Sequence, residues 1–163
     1  MIRFSTRGEY GLRMMMDLAR HYGQGPQPLS EVARHEALPA TYLEQLVGEL
    51  RRAGLVEGTR GVRGGYRLAR PPSGITVGDV YRVLEGAVAP VECTAEDYLP
   101  GACAREPVCL SRGIWARVQA AILEVLDSTT LDDLLISEAL QHHHGAHQLV
   151  PLESISKGEF AHA

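Results

Sequence analysis

Residues 28–68 read PLSEVARHEALPATYLEQLVGELRRAGLVEGTRGVRGGYRL, and the order of signals along this stretch decides the fold. Leu29, Val32 and Ala33 share one side of a short helix expected over 29–35. Leu38-Pro39 interrupts it, because a residue before proline is pushed out of the helical region. Leu43, Leu46, Val47 and Leu50 then fall at i, i+3, i+4 and i+7, one apolar stripe on a helix expected over 41–52. Gly54 is its natural stop. Leu55 to Thr59 and Tyr66 to Ala69 read as two strands around a turn containing Gly61, Gly64 and Gly65. Two short helices joined by a tight turn, followed at once by an Arg-tipped hairpin, predict a winged helix-turn-helix. In that fold the second helix enters the major groove of DNA and the wing lies along an adjacent groove.

Working outward, Thr6 and Glu9 have the spacing of a capping box. A helix over 6–21 should follow, burying Tyr10, Met14 and Leu18, until Gly23, Gly25 and Pro26 end it. Beyond the hairpin, Pro71-Pro72 closes the wing, and Thr76 with Asp79 caps a helix whose Val77, Val80, Tyr81 and Leu84 repeat the same stripe up to Gly86. Residues 87–110 have no periodicity, contain Pro90, Pro100 and Pro107, and carry every cysteine of the chain. A structureless loop of that length is usually functional or disordered. A long amphipathic helix over 111–127 follows, with Trp115, Val118, Ile122, Val125 and Leu126 on one side, and Thr130 with Asp133 caps a shorter one.

The expected fold class is therefore mainly α with a small β-hairpin wing, and the long helix fits either a dimer interface or an internal core. Dimerisation would present two reading heads to a palindromic operator. The expected organisation is a DNA-binding domain over 1–86, a cysteine-bearing loop over 87–110, dimerisation helices over 111–140 and a loose tail over 141–163. His142, His143, His144 and His147 lie in that tail and read as a solvated run.

The 163 residues, 45% apolar and 22% charged, suit one globular domain with a real core. No apolar run approaches the roughly 18 residues of a membrane span, and MIRFSTRGEY lacks the build of a secretion signal, so a cytoplasmic protein without a membrane partner is expected. The net charge of -4 hides an asymmetry. Residues 1–90 hold twelve Arg against nine acids, whereas residues 91–163 hold four bases against eleven acids. Within the basic part, 51–70 carries six Arg and only Glu57, a patch that pairs with phosphates. No nucleophile–base arrangement is visible, and Gly61–Gly65 lacks the spacing of a nucleotide fingerprint, so an enzyme is not expected.

Cys93, Cys103 and Cys109 are spaced C-x9-C-x5-C. An odd number of cysteines without a secretion signal argues against a disulfide framework, and the absence of C-x2-C argues against a zinc ribbon or a dithiol oxidoreductase. Three thiolates on one flexible segment can wrap an iron-sulfur cluster if a further ligand is supplied. Scattered cysteines also serve as small buried hydrophobes, and a zinc- or iron-binding interaction protein without a DNA role would show the same spacing.

Four stretches resemble the IscR/NsrR family of winged-helix regulators over roughly residues 1–140: MIRFSTRGEYGLRMMMDLA, the quoted central segment, ITVGDVYRVLEG, and the cysteines leading into CLSRGIW. The resemblance implies a homodimer on DNA that senses iron-sulfur status, nitric oxide or redox state. It places base-contacting residues on Thr41 and Glu44 and the wing arginine on Arg60. A groove Glu accepts from cytosine, and an Arg answers a narrow minor groove. Tyr42, Arg51, Arg52 and Arg63 suit phosphates. The resemblance makes Cys93, Cys103 and Cys109 the ligands of a 2Fe-2S or 4Fe-4S cluster. Where the cluster-biogenesis branch has a His ligand, this chain has Arg112, which cannot ligate. Branches with an acidic ligand take it from the partner's first helix, at the position of Glu9. A cluster-free thiol or metabolite sensor on the same fold is the alternative.

Overall fold

A computed structural model describes residues 5–61 and 63–143. The helices are α1 (Thr6–Arg20), α2 (Leu29–Glu36), α3 (Ala40–Arg52), α4 (Val77–Glu85), α5 (Arg112–Ser128) and α6 (Leu131–His143). The wing is β1 (Val56–Thr59) antiparallel to β2 (Gly65–Leu68), with Val56 opposite Leu68 and Thr59 opposite Gly65. Beyond His143, the tail and its histidine run lie outside the described residues.

The turn between α2 and α3 is made by Ala37, which adopts a left-handed conformation at φ 52° and ψ 45°. That reversal lets the Leu38 N–H reach back to the Ala33 carbonyl at 2.9 Å, and Pro39 then opens α3. At the other end of α3, Gly54 takes φ 73°. Its N–H donates to the Arg51 carbonyl at 3.0 Å, and the Leu55 N–H donates to Leu50 at 2.9 Å. This double return is the helix stop that places a buried Leu55 against a buried Leu50 and aims the chain into β1.

The wing is fastened to the helix pair by one extra rung. Gln27, just before α2, exchanges two hydrogen bonds of 2.8 Å with Tyr66 of β2. The approach is close enough that a Cβ on Gly65 would lie 2.3 Å from the Gln27 carbonyl oxygen.

One core collects the inward faces of α1 to α4 with β1, β2 and the start of α6: Met14, Leu18, Val32, Leu43, Leu46, Leu50, Val56, Ile75, Val80 and Leu131 all have 2% exposure or less. Burying such side chains stabilises each by about 1.5–3 kcal/mol and holds α1 to α4 against one another. Asp17 is buried with them, and one carboxylate oxygen accepts from His35 at 3.1 Å, tying α1 to α2.

The expected box at the start of α1 is not formed. Ser5 is the N-cap, its hydroxyl accepting from the Arg7 N–H at 3.1 Å. A carboxylate oxygen of Glu85, at the far end of α4, accepts the Gly8 N–H at 2.7 Å and also the Ser5 hydroxyl. Glu9 is exposed and has no part in the cap. The other two expected caps are present: Thr76 with Asp79, at 3.0 and 3.1 Å, and Thr130 with Asp133, at 3.1 and 2.9 Å.

No residue of α5 is buried, so this helix is not an internal core helix. Its Val118, Ala121, Ile122, Val125 and Leu126 line a wholly apolar open cavity of about 380 Å³. Arg82 of α4 straps α5 in place through a two-pronged pair with Asp127 at 2.5 and 2.9 Å.

Candidate nucleic-acid interface and cysteine loop

Burial of Leu43, Leu46, Val47 and Leu50 turns the opposite face of α3 outward, and that face carries Thr41, Glu44, Gln45, Arg51 and Arg52, all exposed. Gln45 was not among the residues anticipated. Its signal is periodicity, since it belongs to the complement of the apolar stripe. Tyr42 is half-buried, its ring edge-on to Tyr10 at 5.8 Å, so the ring helps pack α3 on α1.

The six arginines of the basic segment separate into two groups. Arg67 is paired with Glu57 across the wing at 2.9 Å, and Arg70 with Asp79 at 2.7 Å. Arg51, Arg52, Arg60 and Arg63 are exposed and make no ion pair among the described residues. These four are the arginines anticipated for DNA. Beside the outward face of α3, these guanidinium groups have given up no charge to an ion pair among the described residues, as an anion-binding surface requires.

The cysteine loop, between α4 and α5, contains only two short 3-10 turns, Glu92–Thr94 and Glu106–Val108. Cys93 and Cys103 line one cavity of about 230 Å³ together with Val91, Glu92, Tyr98 and Ala102. Cys109 lies just before α5, its sulfur 3.4 Å from the Ser111 hydroxyl. That hydroxyl, followed by the Arg112 and Ser111 backbone N–H groups, holds the Cys109 thiol below its ordinary range.

Arg112 is engaged elsewhere, donating to Glu106 at 2.6 Å and lying over the Tyr98 ring at 5.8 Å. Arg82 also reaches the loop, donating to Glu96 at 3.2 Å with two nitrogens. The thiol donor set has the chemistry of iron-sulfur ligation, and two of the three thiols share a cavity. Among the described residues no three such side chains lie close enough to hold a metal ion, and Cys109 does not line the cavity that Cys93 and Cys103 share.

Among the described residues no helix is long and apolar enough to cross a membrane. A helix pair, a hairpin wing and a following long helix with an exposed apolar face are the architecture of winged-helix transcriptional regulators, not of an enzyme. Residues 4–137 match the model of the Rrf2 family, described as iron-dependent transcriptional regulators, and the chain belongs to that family. It is 47% identical over 133 residues to the HTH-type transcriptional regulator CymR of Bacillus subtilis (strain 168), covering 82% of this chain and 89% of that protein. The solved structure of CymR, described as the global cysteine regulator of B. subtilis, matches with a TM-score of 0.70 and 44% identity, covering 84% of this chain and 98% of that one. T. potens IscR matches with a TM-score of 0.69 and 39% identity, covering 90% and 94% of the two chains.

Proposed function

We propose that this protein is a homodimeric, cytoplasmic regulator whose affinity for a palindromic double-stranded DNA operator is set by an iron-sulfur cluster, 2Fe-2S or 4Fe-4S. The ligands are Cys93, Cys103, Cys109 and the partner's Glu9. The observation that carries this reading is the gathering of every thiol onto one loop strapped to the reading head, in a chain of a family described as iron-dependent. Exposed Glu9, free of any capping duty, supports its being the fourth ligand. When bound, a cluster supplies a group that oxidation or nitric oxide can alter, so its presence or loss can favour one arrangement of the loop.

The chain's own residues do the rest. Thr41 and Glu44 read base edges, Arg60 enters the minor groove beneath the wing, and Tyr42, Arg51, Arg52 and Arg63 meet phosphates. The apolar face of α5 packs on its copy. α1 connects the two functions, because its first turn carries Glu9 and also Arg7, which donates to Glu49 of α3 and, at 2.5 Å, to the Leu84 carbonyl of α4. A pull on that turn is therefore felt at the recognition helix.

A second reading, a cluster-free thiol or metabolite sensor, is favoured by the likeness to a cysteine regulator and by the lowered Cys109 thiol. Anaerobic purification with iron and sulfide analysis decides between them. Visible charge-transfer absorption with stoichiometric iron and sulfide, and operator affinity that changes when the cluster is removed, is the expected result. Iron-free protein binding operator with full affinity and a steep salt dependence would leave the second reading.

A further inference from the structure

We propose that Tyr98, Glu106 and Arg112 form the positioning frame of the cysteine loop, with Glu106 its central residue. The inference rests on the reading of the three cysteines as metal ligands. Glu106 gathers three donors on one carboxylate, the Gly101 N–H at 2.7 Å and the Tyr98 hydroxyl at 3.0 Å on one oxygen, and Arg112 at 2.6 Å on the other. Having donated to Glu106, the Tyr98 hydroxyl accepts the Cys103 N–H at 3.0 Å. The Arg112 guanidinium lies over the Tyr98 ring at 5.8 Å, so the three side chains close on one another.

The placement relative to the thiols gives the frame its meaning. Cys103 hangs on it by its own backbone N–H, and Cys109 occupies the short span between Glu106 and Arg112. Tyr98 also walls the cavity that Cys93 and Cys103 share. Arg112 opens α5, which anchors a loop of otherwise irregular backbone to a rigid helix. Residues that hold ligands in place without touching the metal tune affinity by 10–100-fold, because a flexible loop must otherwise be ordered at the moment of binding.

Anaerobic titration of apoprotein with Co²⁺ alone, followed by the thiolate-to-cobalt absorption band, tests this in wild type, Glu106→Gln and Glu106→Ala. Hydrogen exchange at the Gly101 and Cys103 amides reports the frame itself. The hydrophobic core contains no residue of the loop, so melting of the reading head should be unchanged. Faster exchange at both amides and at least about tenfold weaker Co²⁺ binding in Glu106→Ala, with partial recovery in Glu106→Gln, is expected. Wild-type Co²⁺ affinity and band in Glu106→Ala would overturn the positioning role. A wild-type protein that forms no thiolate band at all would instead overturn the cysteine reading beneath it.

Discussion

Glu85 and Gly8, 77 positions apart, are joined by a 2.7 Å hydrogen bond from the Gly8 N–H to the Glu85 carboxylate. The end of α4 thereby caps the start of α1. This contact releases Glu9 from the role its spacing suggested and leaves its carboxylate exposed on the same first turn.

The capping assignment is open to direct measurement. Glu85→Ala should destabilise the fold by about 1 kcal/mol in urea unfolding, the usual cost of a lost cap. Glu9→Ala should stay within about 0.5 kcal/mol of wild type, as surface substitutions do. Equal losses from the two variants would restore Glu9 to the cap.

Ala37 is exposed and holds a left-handed backbone at φ 52°, which costs an alanine more than a glycine. Ala37→Gly should raise stability by about 0.5–1 kcal/mol, the relief exceeding the extra chain entropy glycine loses. A fall in the urea midpoint would show that the strain is absent.

The division of the arginines predicts a division of effects on DNA. Arg60→Ala should weaken operator binding by about 1–3 kcal/mol, and Arg51→Ala or Arg63→Ala should lower the salt slope by about one. Arg67→Ala, which removes a side chain already paired with Glu57, should do much less. Glu44→Ala should relax base preference more than it lowers affinity. Competition titrations across several operators and salt concentrations check all five variants, and a uniform loss across sequences for Glu44→Ala would contradict its reading role.

Arg82 holds the Asp127 carboxyl below the usual carboxylate range. A carboxyl whose folded value is depressed contributes stability above its unfolded value, near 3.8, and loses it as pH falls through the lower folded value. The strap between α4 and α5 should thus be intact from neutral pH down to about 4 and fail below that. The pair is substantially exposed, so the difference between wild type and Asp127→Asn should be about 0.2–1 kcal/mol above pH 5 and vanish under strong acid. A difference that grows as pH falls would refute the assignment.

Short-range signals made most of the head legible in advance. The stripe of Leu43, Leu46, Val47 and Leu50 is the buried face of α3, and the caps at Thr76 and Thr130 span three residues each. What stayed hidden spans the chain: Glu85 on Gly8, Gln27 on Tyr66, and buried Asp17 beneath His35. The α2–α3 turn was expected from proline, whereas the reversal is made by Ala37, a residue with no intrinsic preference for that conformation. At the site, residue types pointed to the cysteines and to the four free arginines, but the Glu106 frame depends on three donors brought together only by the loop's path.

Ligation across the dimer is tested most directly by a mixed dimer of two defective chains, one Glu9→Ala and the other with Cys93, Cys103 and Cys109 all replaced by Ser. Only a cluster bound by the cysteines of the first chain and Glu9 of the second has its full ligand set. Anaerobic reconstitution of the mixed dimer should therefore give one cluster per dimer with the wild-type absorption spectrum and lifetime. A mixed dimer whose cluster shows only the spectrum and lifetime of the Glu9→Ala homodimer would contradict ligation by the partner's Glu9.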